Sequence, residues 1–181
     1  MNISDLIFLS FGLAMDAFAV SVSDGMSIRR MNFIKASAIS LVFGIFQGVM
    51  PSMAYFISQS FMDFIPLISV YGNIVACIIL SVIGIKMIKD RNNEKDTYTE
   101  MSFGLVMVQG MASSIDAMMT GIGFSATDTD IVVSCAVIAF ITFICCLCGC
   151  FIGKRFGDRM NGKAQLIGGI MLILIGLKTL F

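Results

Sequence analysis

Apolar residues in this chain come in long blocks rather than in short alternating runs. Asp, Glu, Lys and Arg are absent from 36–62, 64–85 and 131–153, and each block is near or above the roughly 20 residues that carry a helix across about 30 Å of hydrocarbon. Three further blocks, 6–23, 101–127 and 164–177, complete a set of six. The first two are interrupted by a single aspartate each. The last is extended by Lys178, whose ammonium group can snorkel to the membrane interface. Backbone polar groups cannot be left unpaired in lipid, so only helices or closed barrels span it, and the alternating pattern of a barrel strand is missing. The pattern therefore predicts an all-α integral membrane protein of six transmembrane helices. The Ala17-Phe18-Ala19 run could mark a signal-peptide cleavage site, but the first block lacks a basic leader and contains Asp5 and Asp16, so a retained helix is the expectation.

Composition strengthens this reading. Of 181 residues, 57% are hydrophobic and 13% charged, and the mean hydropathy of +0.94 is that of a bilayer protein. Formal charge is zero, but its placement is uneven. Arg29, Arg30 and Lys35 follow the first block, Lys86, Lys89, Arg91 and Lys95 follow the third, and Lys154, Arg155, Arg159 and Lys163 follow the fifth. Short basic loops stay cytoplasmic. The odd-numbered loops are thus expected inside and both termini outside, in a multi-pass membrane protein; only Lys178 breaks the rule. The six cysteines all fall within apolar blocks, where reduced, packed thiols are the expectation.

Two halves echo one another. Ala14-Met15-Asp16-Ala17 in the first block corresponds to Ser114-Ile115-Asp116-Ala117 in the fourth, and Ile83-Gly84-Ile85-Lys86 corresponds to Ile175-Gly176-Leu177-Lys178. The expected organisation is a three-helix repeat over 1–88, a cytoplasmic linker over 89–100 and a second repeat over 101–181, together one membrane domain. Because three helices are an odd number, the second repeat enters the membrane inverted, the plan of many secondary transporters. Rows of small residues at one-turn spacing, such as Ala17, Ser21, Gly25 and Gly149, Gly153, Gly157, predict close helix packing.

The chemistry is carried by the two aspartates. A carboxylate near the bilayer centre costs on the order of 2.5–3.5 kcal/mol to insert, so Asp16 and Asp116 are expected to be functional, and paired carboxylates attract a cation. Gln109, Ser113 and Thr120 share faces with Asp116, and Gln47, four residues before Pro51, is a further amide within a span; these four are candidate lining residues. With no histidine in the chain, imidazole-rich zinc, copper or nickel sites are excluded, whereas oxygen donors suit magnesium, calcium or manganese. The competing cue is a soft-metal thiolate site at Cys145, Cys146, Cys148 and Cys150, although thiolates form at high cost in an apolar helix. No nucleotide-binding phosphate loop is present, so transport would be secondary. Neither a resident cofactor nor a catalytic residue is implied, an enzyme is not expected, and nucleic acid is not an expected partner.

Met15-Asp16-Ala17-Phe18-Ala19, Ser113-Ser114-Ile115-Asp116-Ala117, the 44–51 run Gly-Ile-Phe-Gln-Gly-Val-Met-Pro and the terminal Ile-Gly-Leu-Lys resemble the MntP family of bacterial manganese efflux pumps over nearly the whole chain. The resemblance implies export of Mn²⁺ with Asp16 and Asp116 as metal-binding residues; proton exchange is the expected coupling. Some members carry an acidic residue where this chain has Gln47. Two further departures are the cysteine-rich fifth span and Thr120-Gly121, where Val-Gly is usual. Two other readings are open at this stage. One is an exporter of another divalent metal or a small solute; the other is a membrane scaffold with no transport activity.

Overall fold

The computed structural model of the protein describes residues 3–28, 31–60, 74, 77–85, 88–89, 102–125, 130–159 and 164–178. Most of the span expected at 64–85, the linker beyond Lys89 and both chain ends lie outside the described residues. The described chain is helical, with α1 (Ile3–Ser27), α2 (Phe33–Ser60), α3 (77–85), α4 (Phe103–Ser113), α5 (Ile115–Ser125), α6 (Ile131–Arg159) and α7 (Ala164–Lys178). No strand is formed among the described residues. Helices α1, α2 and α6 are each long and apolar enough to cross a bilayer, and α4 and α5, bent at a short break, pass the same test only as a pair.

Polar residues at the helix starts fix two of these boundaries. Asn32 Oδ1 accepts a hydrogen bond from the Lys35 backbone N–H at 2.9 Å, and Asp130 Oδ1 accepts from Val132 and Val133 at 3.1 and 3.3 Å. Both satisfy N–H groups that a helix's first turn leaves unpaired.

Glycine contacts give the packing directions. Gly149 of α6 lies against Phe18 and Ser21 of α1, Gly153 against Val22 and Gly157 against Met26, so the two helices run parallel. Gly44 meets Phe143, and Gly48 meets Ala139 and Cys135, so α2 opposes α6. Gly110 meets Phe46 and Val42, and Gly121 meets Pro51, so α4 and α5 run with α2. Lys178 reaches Asp16, and Ile167 and Met171 pack on Val22 and Met26, which sets α7 against α1. Gly169 faces Gly84 and Ile88, so α3 opposes α7 and follows α1. The small-residue rows expected to permit close approach do so: a Cβ at Gly25 or Gly153 would run into the carbonyl oxygen of Cys150 or Val22.

Many large apolar side chains face outward, while several polar ones join the apolar core inside. Phe8, Ile34 and Val132 are 78%, 76% and 73% exposed, while Gln47, Gln109 and Asp24 are 0%, 0% and 3% exposed. Apolar rings and branched chains face outward, where lipid takes the place of water, and the amides and a carboxylate are held between helices.

Candidate functional site

Asp16 lies midway along α1, and its side chain meets a cation supplied by the chain itself. Lys178 Nζ, at the end of α7, donates to Asp16 Oδ1 at 2.7 Å. Sequence patterning predicts that Lys178 snorkels to the interface; the antiparallel packing of α7 on α1 brings it to the mid-helix carboxylate instead. The pair is partly accessible, with the lysine side chain 69% and the aspartate side chain 23% exposed.

Asp116 reaches the same neighbourhood from a broken helix. The fourth span, expected to be continuous over 101–127, is interrupted at Ser114, and the axes of α4 and α5 differ by 41°. The cause is local. Ser113 and Ser114 both turn their hydroxyls back onto the Gly110 carbonyl, at 3.2 and 2.7 Å, and the Ser114 N–H bonds Met111 O in a tightened turn. Hydroxyls bonded back in this way bend helices. Asp116 therefore sits in the first turn of α5, where Oδ1 accepts from the Ala117 N–H at 2.8 Å and the positive end of the helix dipole favours a carboxylate. Asp16 and Lys178 both act electrostatically on it.

The four candidate lining residues divide. Gln47, fully buried in α2, donates through Nε2 to Leu13 O at 3.0 Å, one turn before Asp16 on α1, and its Oε1 has no hydrogen-bond partner among the described residues. Thr120 is half-buried one turn beyond Asp116. Ser113 is committed to the helix break. Gln109 turns elsewhere: its Nε2 donates to Asp24 Oδ1 at 3.1 Å.

Sequence patterning passes over Asp24. The first apolar block ends at residue 23, which reads Asp24 as a flanking loop residue, but α1 continues to Ser27 and packs its last two turns inside the bundle. The available signal was its position eight residues after Asp16 with serines on either side.

Cys145, Cys146, Cys148 and Cys150 of α6 face different surroundings. Cys148 is exposed, Cys145 is half-buried, and Cys146 and Cys150 are buried, with every thiol free. Among the described residues no three His, Cys, Asp or Glu side chains converge on one point. Met15, beside Asp16 in sequence, is 61% exposed and faces outward.

A family profile described as "Putative manganese efflux pump" matches residues 30–180. This chain belongs to that family. Proteins named "Putative manganese efflux pump MntP" are similar to it along nearly their whole length. The one from Gloeothece citriformis is 42% identical, over 99% of this chain and 95% of its own. Those from Ruminiclostridium cellulolyticum and Campylobacter curvus are 36% and 35% identical, over 98% and 97% of this chain and 95% of each relative. No solved structure matches the chain. Membership in the family, together with the long apolar helices, makes this a multi-pass protein of the bacterial plasma membrane and not an enzyme.

Proposed function

We propose that this protein exports Mn²⁺ from the cytoplasm, with Asp16 and Asp116 holding the ion in transit. The observation that carries the reading is the occupant of Asp16: a carboxylate in mid-helix is already neutralised by a cation, the Lys178 ammonium, within electrostatic reach of Asp116. Two carboxylates carry two negative charges, of which the lysine cancels one and a divalent ion in its place cancels both. Broken helices supply substrate sites in many secondary transporters, and the break at Ser114 sits two residues before Asp116.

The architecture proposed for this activity is six spans in two inverted halves, 1–88 and 101–181, joined by 89–100. Its support is the alternation of directions along the chain, with α1 and α3 one way, α2 the other, α4 and α5 with α2, α6 back with α1, and α7 reversed again. Lys35, Lys154 and Arg155 then gather at one end, which positive-inside placement makes cytoplasmic, with both termini outside. Alternating access would come from rocking of α1 and the α4–α5 pair about the central site.

Moving a divalent ion outward against an inside-negative potential of 100 mV costs about 4.6 kcal/mol, from roughly 2.3 kcal/mol per charge. Exchange against inward-moving protons offsets that cost, and a carboxylate that alternates between metal and proton is sufficient chemistry for it. The test is manganese content in cells challenged with Mn²⁺. The parent chain is expected to lower it and Asp16→Asn or Asp116→Asn to leave it high; unchanged export by both variants would remove these aspartates from the mechanism.

A further inference from the structure

α1 and α4 carry a second facing pair of polar side chains that the proposed site does not use. Asp24 of α1 is 3% exposed and Gln109 of α4 is 0% exposed, and they are joined by one hydrogen bond, Gln109 Nε2 to Asp24 Oδ1 at 3.1 Å. The other half of each group is bare. Asp24 Oδ2 and Gln109 Oε1 have no hydrogen-bond partner among the described residues. Neither does the buried hydroxyl of Ser27, one turn beyond Asp24 on α1. Each such buried group left unmatched is destabilising, and a carboxylate in a dry interior persists only with a proton or a cation beside it. A pair whose role was only to fasten α1 to α4 would use these oxygens; here three of them remain open.

We propose that Asp24 and Gln109 form a second cation station, which takes the exported divalent ion before it reaches Asp16 and Asp116. This rests on the efflux reading above. The placement supports it. Asp24 lies about 12 Å along α1 from Asp16, and Gln109 about 10 Å along the α4–α5 pair from Asp116, at 1.5 Å per residue. Because the helices are antiparallel, both displacements run the same way, toward the end where Lys35, Lys154 and Arg155 lie. The donors are carboxylate, amide and hydroxyl oxygens, a set suited to Mn²⁺, with water completing the shell. A half-turn of the Gln109 amide exchanges Nε2 for Oε1, so one side chain seals Asp24 when the station is empty and offers an oxygen when the ion arrives. Cys146 and Cys150 approach near enough to feel the charge on Asp24, and they remain neutral bystanders in this scheme.

Two measurements on the full-length protein in detergent and in everted vesicles test the station. Loss of the free Mn²⁺ paramagnetic resonance signal counts bound ions: two per chain are expected for the parent, and one for either Asp24→Asn or Asp116→Asn. Asp24→Asn keeps the Gln109 hydrogen bond, so its fold is preserved. It is expected to raise the Mn²⁺ concentration for half-maximal export by about tenfold, equivalent to about 1.4 kcal/mol. Gln109→Glu adds a carboxylate and is expected to enlarge the rise in melting temperature that Mn²⁺ produces. An unchanged ion count and half-saturation in Asp24→Asn would overturn the station while leaving the Asp16 and Asp116 site standing. The same count combined with an altered pH dependence of export would make Asp24 a proton site and equally overturn it. A parent chain that binds and exports no Mn²⁺ would instead defeat the efflux reading itself.

Discussion

Lys178 Nζ stands 2.7 Å from Asp16 Oδ1, joining residues 162 positions apart in sequence. The ammonium group occupies the carboxylate that the proposed mechanism needs for Mn²⁺, so ion and lysine compete. Lys178→Gln is expected to tighten Mn²⁺ binding, measured by titration calorimetry, by roughly 1.5- to 5-fold, the range set by the 0.2–1 kcal/mol of a solvent-accessible ion pair. Export in vesicles is expected to slow, because the empty carrier then returns with Asp16 unneutralised. Weaker binding in the variant would assign Lys178 to the site rather than to competition with it.

Neutralising the aspartates separates binding from folding. Asp16→Asn and Asp116→Asn retain side-chain shape, and Asn at residue 116 can still accept from the Ala117 N–H. Both variants are expected to keep the parent's helical circular dichroism and gel-filtration profile while Mn²⁺ export falls to background. Loss of the fold in either variant would mean that the carboxylate is structural.

The break at Ser114 depends on two hydroxyls that share the Gly110 carbonyl. The double variant Ser113→Ala, Ser114→Ala should straighten the 41° bend. Spin labels at Gly104 and Gly123, where an added Cβ meets nothing within 4 Å, would move apart by about 2 Å over a segment near 28 Å long. Export is expected to drop severalfold as Asp116 leaves its position. An unchanged distance would show that the bend is held by packing.

Close helix approach predicts a graded stability series. Gly121→Ala and Gly153→Ala push a methyl group into the Pro51 and Val22 carbonyls, and Gly157→Ala places one 2.7 Å from Met26 O. Each is expected to cost about 1–3 kcal/mol, the range for overpacking, read as a lower melting temperature in detergent. Gly12→Ala and Gly123→Ala, which face open space, should be neutral or slightly stabilising because alanine is the better helix former.

Much of this was legible from the residues themselves. Charge-free blocks longer than a bilayer is thick require helices, since no other open structure pairs its own backbone in lipid. The glycine rows around Gly25 and Gly153 announced close packing, because one-turn spacing places small residues on a single stripe. Asp16 and Asp116 stood out because a carboxylate in an apolar block is too costly to be incidental. The break at Ser114 was less visible, since serine pairs are common in helices and only their shared bond to Gly110 makes this one a kink.

Sequence by itself thus determined the helical membrane class, the two carboxylates within apolar blocks and the uneven placement of basic residues, all of which depend on local composition and on the thickness of hydrocarbon. Tertiary structure alone decided the partners. Lys178 reaches Asp16, Gln109 leaves the expected site for Asp24, and Asp24 itself becomes an interior residue, because α7 and α4 both pack antiparallel to α1. Those pairings join residues 162 and 85 positions apart. Hydropathy is read along one chain segment at a time and holds no record of which polar group another helix will bring alongside.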